Sequence, residues 1–243
     1  MSDVIFDGGG PSGGGSTPIQ MAVDTCAQFF ALVTGQLQDI ANVRWPLGVS
    51  LIPYLNLAIK EVCNVKPEAY TQVFTLPLAH GPRQTLPPGA LFLVDLESVL
   101  DINGDPISGV TMVGKEQLDK LFAGWYSFPN ANDRTVHVIE DGRNPNNFYV
   151  FPPAPAATTQ SVSLICACFP SEIDSAVTDM TTVDFPLDNS YVPAVLDFTV
   201  GYILREETTI PGAQQKSATL FQAGYQKLGV TRATKKQSDE AGV

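Results

Sequence analysis

Helical periodicity at both ends of the chain, with strand patterning between, restricts the fold more than any other sequence feature. From Ala22 to Asp39 the apolar positions Cys26, Phe29, Phe30, Val33, Leu37 and Ile40 recur every three or four residues. This is the stripe of an amphipathic helix. After an Arg44-Trp45-Pro46 turn, a second stripe follows in Leu51, Tyr54, Leu55, Ala58, Ile59 and Val62. Pro46 lies near its start, where a missing N–H costs nothing, and Pro53 falls within its first turns. Helical spacing returns in Val192, Val195, Leu196, Thr199, Tyr202 and Ile203, then in Ser217, Phe221, Gly224, Tyr225 and Leu228 before a Gly229 C-cap.

Between Ala69 and Phe169 short β-branched and aromatic runs alternate with Pro, Gly and Asn. The pattern predicts strands at Thr71 to Leu76, Arg83 to Leu86, Leu91 to Ile102, Thr135 to Glu140, Phe148 to Phe151 and Ser161 to Phe169, and a short helix from Lys115 to Phe122. Asn103-Gly104 predicts a hairpin turn, since both residue types tolerate positive φ. The expected fold is therefore α+β: a four-helix bundle made from N- and C-terminal helix pairs, with a central inserted β region. The bundle takes 19–66 and 188–229, and the β region 67–187. Residues 1–18 form a flexible Gly-rich arm, Gly8 to Ser16 being linker-like, and 230–243 a polar tail.

Charge narrows the function. The chain of 243 residues has 14 basic against 25 acidic side chains, a net charge of −11. It lacks the basic patch that neutralises phosphates in a tight nucleic-acid binder. Only 16% of residues are charged, leaving neutral surface suited to subunit contacts. Cys26, Cys63, Cys166 and Cys168 have neither zinc spacing nor a disulfide framework and read as buried thiols. Neither a signal peptide nor a membrane span is predicted.

The catalytic inventory is thin. His80 sits in a turn and His137 in a strand, with nothing in the spacing to bring either beside a nucleophile. Asp101, Asn103 and Asp105 alternate like the opening of a calcium loop, but Pro106 replaces the glycine such a loop requires, so a hairpin is expected. The carboxylate pairs Asp95/Glu97 and Glu140/Asp141 are weighed as acid and base, against solvated surface. The run Phe148-Tyr149-Val150-Phe151 reads first as a core strand, then as an interface, then as a ligand strip. The Gly-rich arm lacks the Gly-Lys-Ser/Thr of a P-loop. No catalytic, cofactor-binding or metal-ligating set is predicted.

Several short motifs then occur in a telling order: Arg44-Trp45-Pro46, Tyr54-Leu55-Asn56-Leu57-Ala58, Lys66-Pro67-Glu68-Ala69-Tyr70 and Arg83-Gln84-Thr85-Leu86-Pro87. Asn147-Phe148-Tyr149-Val150-Phe151-Pro152-Pro153, Tyr191-Val192-Pro193-Ala194-Val195-Leu196-Asp197 and a closing Leu228-Gly229 follow. Over Met21 to Val230 the chain resembles the head-to-tail adaptor (connector or neck) proteins of tailed bacteriophages. It departs from them in the acidic end of Gly201 to Glu207 and in the additional arm. The resemblance implies a non-enzymatic structural protein without a cofactor. It also implies a ring, most simply a dodecamer, placed beneath the portal protein at the head-to-tail junction of the virion and assembled in the host cytoplasm. A downstream tail or nozzle protein would be a further partner, and DNA would pass through the channel without specific binding. The alternatives are a tail-tip or baseplate binding module, marked by aromatic residues exposed in a cleft, and an enzyme with a dispersed carboxylate site.

Overall fold

Thr25 sets the start of the first helix. Its hydroxyl accepts the Gln28 N–H at 3.4 Å while the Gln28 side chain accepts the Thr25 N–H at 3.1 Å. This reciprocal box starts α1 (Cys26–Leu37) at the first apolar position of the stripe, and Gln38, at φ +58°, ends it. Pro53 explains how α2 (Ile52–Val65) starts: a π-type turn over Leu47–Leu51 precedes it and widens the backbone just where the proline withholds a donor. Gly48 in that turn is pressed against the chain, since a Cβ there would lie 2.6 Å from the Ser175 carbonyl oxygen. The structure is a computed structural model that describes residues 22–108, 110–129 and 135–230. The expected arm, and the expected tail beyond Val230, lie outside these.

After the β region come α4 (Val192–Glu206) and α5 (Ala213–Lys227). Helices α1, α2 and α5 each pack on α4, whose apolar residues Val195, Phe198 and Ile203 are fully enclosed. Close approach of α4 and α5 is reciprocal: the Phe221 ring rests on Gly201 and the Phe198 ring on Gly224. Ser217 donates to the Gly201 carbonyl at 2.7 Å across the same contact. Asp197, nearly enclosed, pairs with Lys227 at 2.6 Å. The long loop after the strands is part of this core. Met180, Phe185 and Leu187 are buried in it, and Phe185 stacks on Phe29 with centroids 5.1 Å apart. Sequence patterning had grouped that loop with the strands.

The strands are β1 (Thr71–Pro77), β2 (Gly81–Thr85), β3 (Ala90–Leu100), β4 (Pro106–Ser108), β5 (Thr111–Met112), β6 (His137–Glu140), β7 (Asn147–Ala154) and β8 (Ser161–Cys168). They form two four-stranded sheets, ordered β1-β8-β3-β4 and β2-β7-β6-β5. One apolar core joins them: Leu93, Leu96, Val162 and Leu164 from the first meet Val138, Phe148 and Val150 from the second. The sheets thus stack face to face. On the far side of the second sheet, Tyr149 and Phe151 alternate outward under α3 (Lys115–Leu121) and the turn carrying Trp125. The chain is accordingly α+β, with five α-helices and two sheets among the described residues.

Two expectations change. The hairpin after β3 is a five-residue loop rather than a two-residue turn, and only Gly104 has positive φ there, at +88°. Asp101 builds it, accepting the N–H groups of Asn103 and Asp105 at 2.8 and 2.9 Å. Strand β7 also runs on through Pro152 and Pro153, where it bulges away from β2 before Ala154 pairs with Gly81.

Candidate interaction surfaces

The connector between α1 and α2 is a built feature. Asp39 accepts the backbone N–H groups of Val43, Arg44 and Trp45 at 3.1, 3.0 and 3.0 Å. These bonds, the one to Trp45 foremost, hold its carboxyl below the usual range. Arg44 reaches across to Glu207 at 2.9 Å and to the Thr209 hydroxyl, and lies 5.2 Å from the Trp45 ring. Held in this way, the connector turns apolar side chains out into water: Ile40 is 83%, Val43 80% and Val49 80% exposed. Exposed apolar residues on a braced loop mark a contact surface.

A second surface is the open cleft of about 1080 Å³ between α3 and the β6–β7 turn. Tyr126 and Tyr149 line it, their rings 5.8 Å apart and edge to face. Glu140 and Asp141, weighed above as a pair, are here, with Glu116 and Asp119 on the opposite wall. Asp119 receives Lys115 at 2.7 Å and the Trp125 indole N–H at 2.8 Å. Those donors hold the Asp119 carboxyl below its ordinary range, and Asp119 in turn, with the Tyr126 hydroxyl, holds the Lys115 ammonium above its own. Asp141 accepts the Tyr149 hydroxyl at 3.2 Å, and burial pushes that phenol up. A general acid working near neutrality needs a raised carboxyl pKa, and Asp119 is moved the other way. The arrangement fits recognition of a polar partner better than proton transfer.

A third is a groove of about 700 Å³ along α2, α4 and α5, lined by Tyr202, Phe221 and Tyr225. Arg205 lies 4.9 Å from the Tyr202 ring, and Tyr225 donates to Glu61. No sequence signal pointed to this groove, because Tyr202, Phe221 and Tyr225 read as stripe positions of their helices and Glu61 comes from α2, far away in the chain.

The other singled-out residues have structural duties. His80 is exposed in its turn, with Nδ1 3.1 Å from the Ala154 carbonyl oxygen. His137 stacks on Phe151, centroids 6.2 Å apart. Asp95 and Glu97 share the exposed face of β3, where Asp95 accepts the Leu96 N–H and Glu97 the Ser163 hydroxyl. Phe148 and Val150 are core, as the strand reading had it, while Tyr149 and Phe151 face the α3 layer. All four cysteines are buried free thiols, and burial pushes those of Cys26, Cys63 and Cys166 up to about 11. Among the described residues no three His, Cys, Asp or Glu side chains are placed to hold a metal, and no helix is long and apolar enough to cross a membrane.

The connector and the two clefts are the candidate surfaces for contact with other molecules. No curated protein matches the chain. Residues 24–242 match the family model of the SU10 adaptor protein, and the chain belongs to that family of phage structural adaptors.

Proposed function

We propose that this protein is the head-to-tail adaptor of a tailed phage. In this reading it is a non-enzymatic subunit of a ring, twelve-membered like the portal above it, that continues the DNA channel toward the tail. Family membership supplies the adaptor role. The observation that carries the ring is the braced connector, which offers Ile40, Val43 and Val49 to a neighbour at no cost in loop ordering. In the proposal the helices act as a four-helix bundle packed side by side around the ring. The sandwich and both chain ends reach the portal, adjacent copies or the next tail component, in a virion assembled in the host cytoplasm.

Charge agrees with a conduit. Twelve copies at −11 each bring −132 to the ring. DNA then slides past without the counterion release that would make it adhere. Lining the channel mainly with Lys and Arg would contradict this.

The test is to mix the protein with the portal of its own phage and image the product by electron microscopy. A ring capping the portal is expected, and persistent failure to bind the portal overturns the assignment. The double variant Ile40→Asp, Val43→Asp should keep wild-type stability within about 0.5 kcal/mol, since both positions are exposed. It should nevertheless fail to close the ring, which a ring of normal occupancy would contradict. Aromatic side chains in the α3 cleft favour a second reading, a tail-tip or baseplate module. Retention of a host-surface glycan by the wild-type protein, lost in Tyr126→Ala, would support it instead.

A further inference from the structure

Strand β1 is an edge without protection. It borders the first sheet, pairing only with β8, and its ladder runs from Thr71 to Pro77 without a register shift. Two flanking bonds fix its parity. The Cys168 N–H donates to the Tyr70 carbonyl and the Leu78 N–H to the Gln160 carbonyl, both at 3.0 Å. Even-numbered residues therefore face β8, and Thr71, Val73 and Thr75 turn their N–H and C=O groups away from it. None of those three N–H groups has a partner among the described residues. Val73 is 59% exposed beside them.

Free edges are ordinarily blunted by charge, proline, a bulge or brevity. The other edges follow this rule. β2 has Pro82 and the charged Arg83, β4 is three residues long and opens on Pro106, and β5 has only two residues. β1 has no charged residue, no bulge, and a proline only at its last position. An unblunted neutral edge of seven residues would recruit strands indiscriminately unless something of its own covers it.

The chain contains one segment suited to that task. Asp3-Val4-Ile5-Phe6-Asp7 joins two β-branched residues and an aromatic, the composition strands favour, between carboxylates that would blunt the new edge. The C-terminal segment Thr231 to Val243 is rich in charge and has no such run. Fifteen residues, 7–21, separate Phe6 from Ala22, a span of up to about 50 Å. That exceeds twice the radius of gyration of about 18 Å expected for a folded chain of this size. Val23, near the start of the described residues, donates its N–H to Asn189 at 2.6 Å. Two residues on, Tyr191 feels the charge of Glu68, which lies just before β1.

We infer that Val4–Phe6 adds as a fifth strand to the β1 edge of its own chain. Backbone hydrogen bonds to Thr71, Val73 and Thr75 supply the attachment, and tethering makes it intramolecular. The inference does not depend on a portal or a ring.

Amide hydrogen exchange resolved by NMR tests it on the full-length protein, on a chain lacking residues 1–7, and on Ile5→Pro. The Thr71, Val73 and Thr75 amides should be protected in the full chain independently of concentration. In both variants they should exchange about tenfold faster or more, about 1.4 kcal/mol of local opening, while β8 amides are unchanged. Fast exchange in the full chain overturns the inference. So does protection that survives both variants, or protection that rises with concentration, which would mean a second copy covers the edge.

Discussion

At Gly224 a missing side chain is what lets two helices meet. In an open helix Gly→Ala stabilises by up to about 1 kcal/mol. Here the new Cβ would stand 2.6 Å from the Phe198 ring. Gly224→Ala should therefore destabilise by about 1–3 kcal/mol in urea unfolding, reversing the usual sign. Lys227 gives a second residue-scale expectation. Lys227→Met leaves the enclosed Asp197 carboxylate without its counter-charge and should cost about 1–3 kcal/mol, while Lys227→Arg should recover much of it. Such partners are hard to read in sequence. Spacing put Gly224 on the buried face of its helix, yet only the crossing of α4 and α5 shows that an aromatic ring fills its place. The pairing of Asp197 with Lys227, thirty residues on, depends on the same crossing.

At the scale of elements, the α3 layer depends on Asp119. Its carboxyl pKa is depressed in the folded protein, so the stabilisation it gives is present above the unfolded value of about 4 and is lost as pH falls through the lower folded value. Acidification through that window should free the Trp125 indole and change its fluorescence. Asp119→Asn should remove the transition, and a wild-type signal flat across the window would contradict the role of this bond. Helices α1 to α5 were legible because their apolar spacing or punctuation is strong. Strands β4 and β5, three and two residues long, were not, since runs so short show no alternation; β4 is held by its hairpin to β3, and β5 by β6, more than twenty residues on. The α3 cleft was half visible: Glu140 and Asp141 could be named, but not the Asp119 and Lys115 that face them, because the sequence holds no sign that α3 folds over the second sheet.

At the scale of the molecule, the layout of helices before and after a strand region could be inferred from periodicity alone, while the assignment of the loop after β8 to the helical core could not. That loop is polar at many positions, and its buried Met180, Phe185 and Leu187 are too scattered to form a pattern. The split helical core has a consequence during synthesis. Helices α1 and α2 are made first, but 126 residues separate the end of α2 from the start of the α4 against which they pack. At about 5–20 residues per second a ribosome needs roughly 6–25 s to cross that interval. For that time the stripe of Phe29, Leu55 and Ile59 is outside the tunnel with no helix to cover it. The nascent chain is then a natural client for a holding chaperone, and the half-made protein, rather than the finished one, is the species most exposed to aggregation.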